Sequence, residues 1–358
     1  MANSLLRIGV AGCGQAARIH VERLLADPDV RIVGVADAVR ESAEALAGAV
    51  AARQGEGPAT FAEFRGLLDQ RPDAVAIFTP HRLHYRQAMD ALQAGAHVFV
   101  EKPLSTNSQE AADVVTLARG RKLKVAVGHQ YRLRPGLIEA RARLAADAVG
   151  PLRLVTAALA EPWLARQRER GAESSWRFDP KMAGGGLLAD AGDHLVDALL
   201  WVSGRRALEV FAVQGRVESG LDVVTAATIR LEGDVPATLA LSGVSRGSLF
   251  ELNFFGERGR IRATDALIEV DPGDGSPAPG AAPPGPSESI DANFLAALRG
   301  QPAHPVHVAP VESIDANFLA ALRGLGPLSC SAEDAMEAVR LSEAVARSAA
   351  SGRVVSLV

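Results

Sequence analysis

Residues 6–17 read LRIGVAGCGQAA, a short apolar run followed at once by a glycine-rich turn. The run predicts a buried strand, and the apolar spacing in residues 19–25 predicts a helix after the turn. In a strand–turn–helix unit of this kind, Gly12 permits the tight turn, Gly14 lets the backbone approach a pyrophosphate, and Ala17 allows the helix to pack closely on the strand. The stretch therefore predicts a dinucleotide-binding unit.

The backbone N–H groups at the start of the predicted helix would face the cofactor phosphates. We assign the cofactor contacts of this loop to Gly12, Gly14, Gln15 and Ala16. Asp37 ends the second apolar run, residues 30–36, about 20 residues past the glycines. A carboxylate there accepts both ribose hydroxyls and repels a 2′-phosphate, which favours NAD over NADP. Arg40 lies nearby and leaves NADP as an alternative cofactor. The alternative role for Asp37 is that it caps the helix that follows it.

The alternation of strand and helix patterns continues up to residue 130. Strands are predicted at residues 74–78, 97–100 and 124–127, with helices between them. This rhythm indicates βαβ units and a parallel sheet, whose ligands bind beyond the carboxyl ends of the strands. The residues that follow those ends, and that we therefore expect at the cofactor crevice, are Thr79, Glu101, Lys102 and His129.

Lys102 stands between Glu101 and Pro103 at the end of a predicted strand. A lysine that is held in position by a strand end and a neighbouring proline can stabilise a developing alkoxide with its ammonium group. The alternative is a solvated surface lysine, which would need no such anchoring.

Residues 184–201 read GGGLLADAGDHLVDALLW, which predicts a helix opened by three glycines. At about 100° per residue, Asp190, His194 and Asp197 fall on one stripe, opposite a largely apolar face. Buried carboxylates and imidazoles cost free energy unless they are paired or used in chemistry. An aspartate one turn before a histidine can orient the imidazole, as a general acid/base requires. The alternative is a solvated polar face, and Asp193 is a further carboxylate without an assigned role.

Taken in order along the chain, these motifs resemble the glucose–fructose oxidoreductase / inositol dehydrogenase family (Gfo/Idh/MocA). The resemblance is carried by the glycine loop with His20, Thr79-Pro80 with His84, the run AGAHV leading to Glu101-Lys102-Pro103, and the three glycines with Asp190 and His194. It implies an α/β protein with an N-terminal Rossmann domain and a C-terminal α/β domain built on a large, open, mostly antiparallel sheet. It also implies hydride transfer between NAD(P) and a hydroxyl carbon of a sugar, a cyclitol or a related polyol.

By the same resemblance, the catalytic residues are Lys102, Asp190 and His194. The remaining cofactor contacts are expected from Thr79, Pro80, His84, Glu101 and Lys102. The substrate contacts are expected from Tyr131, Trp163 and Trp176, and either tryptophan could stack on a sugar ring. In the expected mechanism His194 takes the hydroxyl proton, Lys102 steadies the oxygen, and Asp190 orients His194. The sequence leaves open whether Lys102 or His194 is the immediate proton acceptor.

The first domain is expected to span residues 1–130, and a substrate-binding and oligomerisation domain residues 131–358. Residues 208–270 contain runs rich in Val, Thr, Leu and Phe, separated by glycine turns, which indicates an antiparallel sheet. An apolar face of such a sheet needs a cover. A partner subunit is one such cover, and the resemblance implies a homodimer or homotetramer that assembles through this sheet.

Residues 271–287, DPGDGSPAPGAAPPGPS, predict a linker. The sequence ESIDANFLAALRG at residues 288–300 recurs unchanged at residues 312–324. Each copy predicts one amphipathic helix that ends at glycine. We expect the second copy to stand beside the final helix, residues 332–349, and the first to lie on the surface or at an oligomer contact. A sequencing artefact is the alternative explanation of the repeat.

The 358 residues are 48% hydrophobic and 22% charged, with a formal net charge of -4. These values are typical of a soluble globular protein and offer no basic surface for nucleic acid. No apolar run approaches the roughly 20 residues of a membrane span, so we expect a cytoplasmic protein without membrane partners. Cys13 and Cys330 form neither a disulfide framework nor a metal cluster, and no metal is expected.

Two other functions remain open. In an NAD-dependent glycosidase the hydride transfer is transient and a glycosidic bond is broken. In a sensor, the fold binds the dinucleotide without catalysis, although a sensor has no need of a proton relay. The substrate and the direction of the reaction are not specified by the sequence.

Overall fold

A computed structural model describes residues 5–169, 175–264, 266–271, 273 and 313–357. The first copy of the repeated segment, residues 288–300, and almost all of the predicted linker lie outside these residues. None of the described helices is long and apolar enough to cross a membrane.

Parallel strands form the first sheet, in the order β3-β2-β1-β4-β5-β6. Its strands are β1 (Leu6–Ala11), β2 (Val30–Ala36), β3 (Ala59–Phe61), β4 (Ala74–Ile77), β5 (His97–Val100) and β6 (Val125–Val127). The strand order reverses between β1 and β4, and ligands of such sheets bind outside the carboxyl ends at this reversal. The predicted Rossmann-type sheet is confirmed.

Helices connect these strands. They are α1 (Gln15–Leu24), α2 (Arg40–Gln54), α3 (Phe64–Leu68), α4 (His81–Gln93) and α5 (Ser108–Arg121). The apolar sides of α1 and α2 share one buried core with the sheet, and those of α4 and α5 share another. Helices on both faces bury the central strands of the sheet, which explains why these strands read as largely apolar runs.

The second sheet has the order β13-β12-β11-β7-β10-β9-β8-β14. Its strands are β7 (Leu152–Ala160), β8 (Ala207–Arg216), β9 (Asp222–Leu231), β10 (Val235–Ser242), β11 (Leu249–Gly256), β12 (Arg260–Ala263), β13 (Ile268–Asp271) and β14 (Val355–Ser356). Among the described strands of this second sheet, only the pair of β7 and β10 is parallel. The predicted mostly antiparallel sheet is confirmed.

The remaining helices pack around the second sheet and between the two sheets. They are α6 (Pro135–Ala145), α7 (Trp163–Glu169), α8 (Pro180–Ala183), α9 (Ala191–Ser203), α10 (Ile314–Leu322) and α11 (Ala332–Ser351). The start of α11 packs in the core of the first sheet, and its later turns pack in the core of the second. This helix therefore joins the two cores.

The second copy of the repeated segment forms α10. Its residues Ile314, Phe318 and Leu319 are buried in the core that α1 and α2 share with the first sheet. The chain thus returns to the first sheet after completing most of the second. The domain boundary at residue 130 stays a prediction.

Residues 184–190 form a turn, whereas the sequence predicted that a helix begins there. Gly184 has a φ of 75° and ends α8, and Asp222 accepts hydrogen bonds of 2.8 Å from the backbone N–H groups of Gly186 and Leu188. The glycines therefore wrap the chain around Asp222, and α9 starts only at Ala191.

We predict that Gly186→Ala destabilises the protein by about 1–3 kcal/mol or more. A Cβ at this position would overlap the backbone carbonyl oxygen of Asp222, and a backbone atom cannot move aside as a flexible side chain can. Urea unfolding measures the change. Gly48→Ala is the matched control, because a Cβ there meets nothing within 4 Å and alanine favours the interior of α2. Equal stability of Gly186→Ala and wild type would contradict the prediction.

Candidate active site

The glycine loop between β1 and α1 has the geometry that a dinucleotide needs. Gly12 has a φ of 82°, and a Cβ there would lie 2.7 Å from the backbone of Phe78. A Cβ on Gly14 would meet nothing within 4 Å, so the loop is open where the cofactor would approach. Gly14 precedes α1, whose first residues, Gln15 and Ala16, have no capping side chain. The loop therefore fits a pyrophosphate.

Asp37 lies at the carboxyl end of β2, beside this loop. Its carboxylate accepts hydrogen bonds from the backbone N–H groups of Cys13, at 2.7 Å, and Val39, at 2.8 Å. The N-cap of α2 is Val39, so Asp37 is not the helix cap that the alternative interpretation offered. Arg40 pairs with Glu44 at 2.7 Å. The structure thus holds a carboxylate at the position expected for ribose binding.

His84 ties together the loops that follow β4 and β5. Its ring nitrogens lie 2.7 Å from the carbonyl oxygen of Pro103 and 2.8 Å from that of Thr79, and its side chain is wholly buried. The hydroxyl of Thr79 donates to Gln87 at 2.6 Å. Pro80 is the N-cap of α4. His84 was predicted to bind the cofactor, but its burial places it behind the two loops rather than on the crevice surface.

Lys102 joins the first sheet to the turn that precedes α9. Its ammonium Nζ donates to the Oδ1 atom and to the backbone carbonyl of Asp190, both at 2.9 Å. Burial favours the neutral amine, but the charges of Asp190, Glu101 and Asp193 prevail and raise the pKa of Lys102 above its ordinary value. The lysine is therefore a buried cation held at a strand end.

Asp190 contacts more groups than the sequence suggested. Its Oδ2 atom accepts a 2.9 Å hydrogen bond from the indole of Trp163 and lies 3.4 Å from Nε of Arg177. Burial opposes ionisation, yet Lys102 and Arg177 lower the pKa of this carboxyl far below its ordinary value. None of these contacts is with His194, and the Nδ1 atom of His194 has no hydrogen-bond partner among the described residues, so the expected Asp190–His194 hydrogen bond is not formed. The reason is the later start of α9, which leaves Asp190 outside the helical stripe.

His194 lies in the first turns of α9 and is 9% exposed. Its ring stacks on Tyr131, with centroids 4.5 Å apart and planes at 13°. Its Nδ1 atom is buried and finds no hydrogen-bond partner among the described residues. Burial, followed by the charges of Lys102 and His129, lowers the pKa of His194 well below its ordinary value. The site therefore contains a neutral imidazole beside a charged lysine.

The two tryptophans expected to bind substrate occupy different places. Trp163 is 3% exposed and its indole N–H donates to Asp190, so the ring is buried rather than open to a substrate. Trp176 is half-buried, with its ring edge-on to His81 at 4.7 Å and the guanidinium of Arg177 4.3 Å from its centroid. Trp176 remains a candidate for stacking on a substrate, as does Tyr131.

His20 forms a buried contact that the sequence did not predict. Its Nε2 atom lies 3.0 Å from Glu101, and its Nδ1 atom lies 2.7 Å from Asp315 in α10. Burial opposes the charge, but the hydrogen bonds to Asp315 and Glu101 raise the pKa of His20 to about 9. The charged imidazole in turn lowers the pKa of Glu101. Glu101 thus stands between His20 and Lys102 as a paired carboxylate.

The fold and site define a Rossmann-type dinucleotide-binding protein with a second, sheet-based C-terminal domain. Residues 6–129 match the family model described as "Oxidoreductase family, NAD-binding Rossmann fold", and residues 137–262 match the GFO/IDH/MocA C-terminal domain. The chain belongs to the Gfo/Idh/MocA oxidoreductase family. The resemblance deduced from the motifs and the prediction of an NAD-binding domain are confirmed.

Characterised relatives share part of the chain. D-glucoside 3-dehydrogenase of Escherichia coli (strain K12) is 28% identical over 58% of this chain and 57% of its own. Inositol 2-dehydrogenase of Rhizobium meliloti (strain 1021) is 27% identical over 58% of each chain. The matches to these two relatives thus span less than two thirds of their length.

Solved structures match the whole fold. Levoglucosan dehydrogenase in complex with NADH superposes with a TM-score of 0.80 at 21% identity and 99% coverage of both chains. The WlbA dehydrogenase from Bordetella pertussis, in complex with NADH and UDP-GlcNAcA, gives 0.77 at 21% identity, again over 99% of both chains. At such identities the likeness shows the fold alone.

We predict that Asp315→Asn weakens the pH dependence of stability on the alkaline side. His20 has a raised pKa in the folded protein, so its contribution is fully present below about pH 6.5 and is lost as the pH rises through about 9. Wild type should lose on the order of 2–3 kcal/mol over this window, and the variant less. Urea unfolding at several pH values measures the slope.

Asp90→Asn serves as the control for this measurement, because Asp90 pairs with Arg86 on the exposed surface of α4. Its slope should equal that of wild type. An Asp315→Asn slope as steep as that of wild type would show that His20 is not held protonated by α10.

Proposed function

We propose that the protein is an NAD-dependent dehydrogenase that acts on a hydroxyl carbon of a sugar, a cyclitol or a related polyol. The observation that carries the proposal is the buried contact of Lys102 with Asp190, next to the neutral imidazole of His194. Bound NAD supplies the hydride acceptor. The names of the glucoside, levoglucosan and inositol dehydrogenases among its relatives support a substrate of this class.

His194 and Lys102 divide the proton chemistry between them. The lowered pKa of His194 leaves the imidazole free to accept the proton of the substrate hydroxyl. The raised pKa of Lys102 keeps its ammonium group charged, so it can stabilise the negative charge that develops on the same oxygen. These directions favour His194 as the immediate proton acceptor. Asp190 acts on Lys102 by fixing its position.

Asp37 supports NAD as the preferred dinucleotide. Its carboxylate is fixed by two backbone N–H groups next to the glycine loop, where a 2′-phosphate would meet a negative charge. Arg40 pairs with Glu44 instead of with a group at the ribose-binding position. The experiment that tests the proposal is incubation with NAD and a panel of hexoses, inositols and sugar acids, read at the absorbance of NADH. Cleavage of a glycoside without net NADH would indicate the glycosidase instead.

We predict that Lys102→Met lowers kcat by about 100- to 10,000-fold, because the charge on the substrate oxygen loses its counterion. NAD affinity, measured by calorimetry, should change much less than kcat. Lys122→Asn is the control, since Lys122 is an exposed lysine beyond the end of α5 in a left-handed backbone conformation that asparagine tolerates. Near-normal turnover of Lys102→Met would remove the lysine from the mechanism.

The outer face of the second sheet supports the proposed assembly of identical subunits. On β8, Phe211 is 43% exposed and Val213 is 61% exposed. Strand pairing places them in register with further exposed, mostly small side chains on β9 and β10. We define the outer face by Phe211, Val213, Ala226, Thr228, Thr238 and Ala240. A flat face of this composition suits a second copy of the same sheet.

We predict that Val213→Glu converts the oligomer to monomers, because a dimer through this face would bury the new carboxylate without a partner. Light scattering after size-exclusion chromatography measures the mass. Leu325→Glu is the control, since Leu325 is 76% exposed and lies on the loop after α10. An unchanged mass for Val213→Glu would place the interface elsewhere.

A further inference from the structure

A buried cluster of charged side chains lies beneath His194. The Nε2 atom of His129 is 2.7 Å from the carboxylate of Asp193. Arg132 donates to both oxygens of Asp197, at 2.9 and 2.6 Å. Each of these four side chains is at most 5% exposed. The cluster therefore brings an imidazole and a guanidinium together with two carboxyl groups, and all four side chains have almost no access to water.

Three segments of the chain build this cluster. His129 and Arg132 follow β6 of the first sheet, and the two aspartates stand one turn apart on α9. The start of α11 and the segment before it close the cluster, because the Ser329 carbonyl accepts a 3.0 Å hydrogen bond from Arg132 and Asp334 lies 3.3 Å from the same guanidinium. Ion pairs between separate segments fix the rotation and depth of α9.

His194 lies on α9, immediately after Asp193 in sequence and one helical turn before Asp197. The rings of His129 and His194 are perpendicular, with centroids 6.2 Å apart. The His194 ring also stacks on the ring of Tyr131. Since Nδ1 of His194 finds no hydrogen-bond partner among the described residues, the protonation state of this imidazole depends on its burial and on the charges around it.

We propose that His129 is a positioning residue: as an imidazolium paired with Asp193 it anchors α9 and keeps His194 neutral, ready to accept a proton. This inference rests on the proposed function, because it assigns His129 a task in that reaction. It also gives a role to Asp193, which keeps the positive charge on His129 rather than acting on substrate.

The directions of the pKa shifts agree with the geometry. Burial disfavours a charged His129, but Asp197 and Asp193 raise its pKa well above the ordinary value. For His194, burial is reinforced by the positive charges of Lys102, His129 and Arg134, which outweigh the opposing charge of Asp190. Removal of the positive charge on His129 should therefore make His194 easier to protonate.

The same cluster has the spacing of a metal site, since ligand atoms of His129, Asp197 and Cys330 lie within 4.8 Å of one another. However, both oxygens of Asp197 already accept from Arg132. A metal ion there would stand against a guanidinium that cannot lose its proton. We therefore interpret the cluster as a network of ion pairs.

The test is the pH profile of kcat/KM for His129→Gln. Loss of a unit charge about 6 Å from His194, at an effective dielectric constant of about 20, should move the acid limb upward by about 1–2 pH units. On the acid limb the variant should then lie about 10-fold or more below wild type at the same pH, while the alkaline plateaus stay within a few-fold. A uniform loss at every pH would reduce His129 to a structural role and overturn the proposal.

Asp334→Asn is the matched control, because Asp334 pairs with Arg132 at 3.3 Å and is 45% exposed. Its acid limb should coincide with that of wild type. Nitrogen-15 NMR of the histidine rings provides a readout independent of turnover. In wild type His129 should stay protonated at about pH 8, well above the ordinary histidine pKa. A neutral His129 there would overturn the proposal, even if His129→Gln fails to fold or no polyol proves to be a substrate.

Discussion

The ion pair of Lys102 and Asp190 is the interaction on which the site depends. The lysine follows a strand of the first sheet, and the aspartate ends the glycine turn that leads into α9. The two side chains are 11% and 15% exposed, so a change that removed one would leave the other as a poorly solvated, uncompensated charge. Trp163 and Arg177 complete the contacts of the carboxylate. This arrangement fixes the ammonium group that we expect to face the substrate oxygen.

Two basic groups in one buried site reach opposite charge states because only one of them has a carboxylate within bonding distance. Lys102 has Asp190 at 2.9 Å and stays charged. His194 has an aromatic neighbour, a buried Nδ1 without a partner in the described part of the chain, and nearby cations, so it stays neutral. A charged electrophile and a neutral base are what removal of a hydroxyl proton requires. The contact of His129 with Asp193 contributes to this difference, because a positive charge on His129 near His194 helps to keep the His194 imidazole neutral.

The elements that depend on local pattern were predictable from the sequence. The glycine loop, the parallel first sheet and the antiparallel second sheet follow from runs, turns and periodicity over short stretches. Contacts between distant segments were not predictable, as the pairing of His20 with Asp315, 295 residues apart, shows most clearly. The place of Asp190 was missed for a related reason, because the turn that removes it from the helix is held by Asp222 on a distant strand. The sequence prediction relied on apolar periodicity alone, and it therefore included that turn in the helix.

A neutron crystal structure of the protein with NAD at about pH 7 would test the division of charge most directly, since it locates the deuterons on each nitrogen. Our account predicts an ammonium group with three deuterons on Lys102, directed at Asp190, and a His194 ring with a deuteron on only one nitrogen. Deuterons on both nitrogens of His194, or a neutral amine on Lys102, would contradict it.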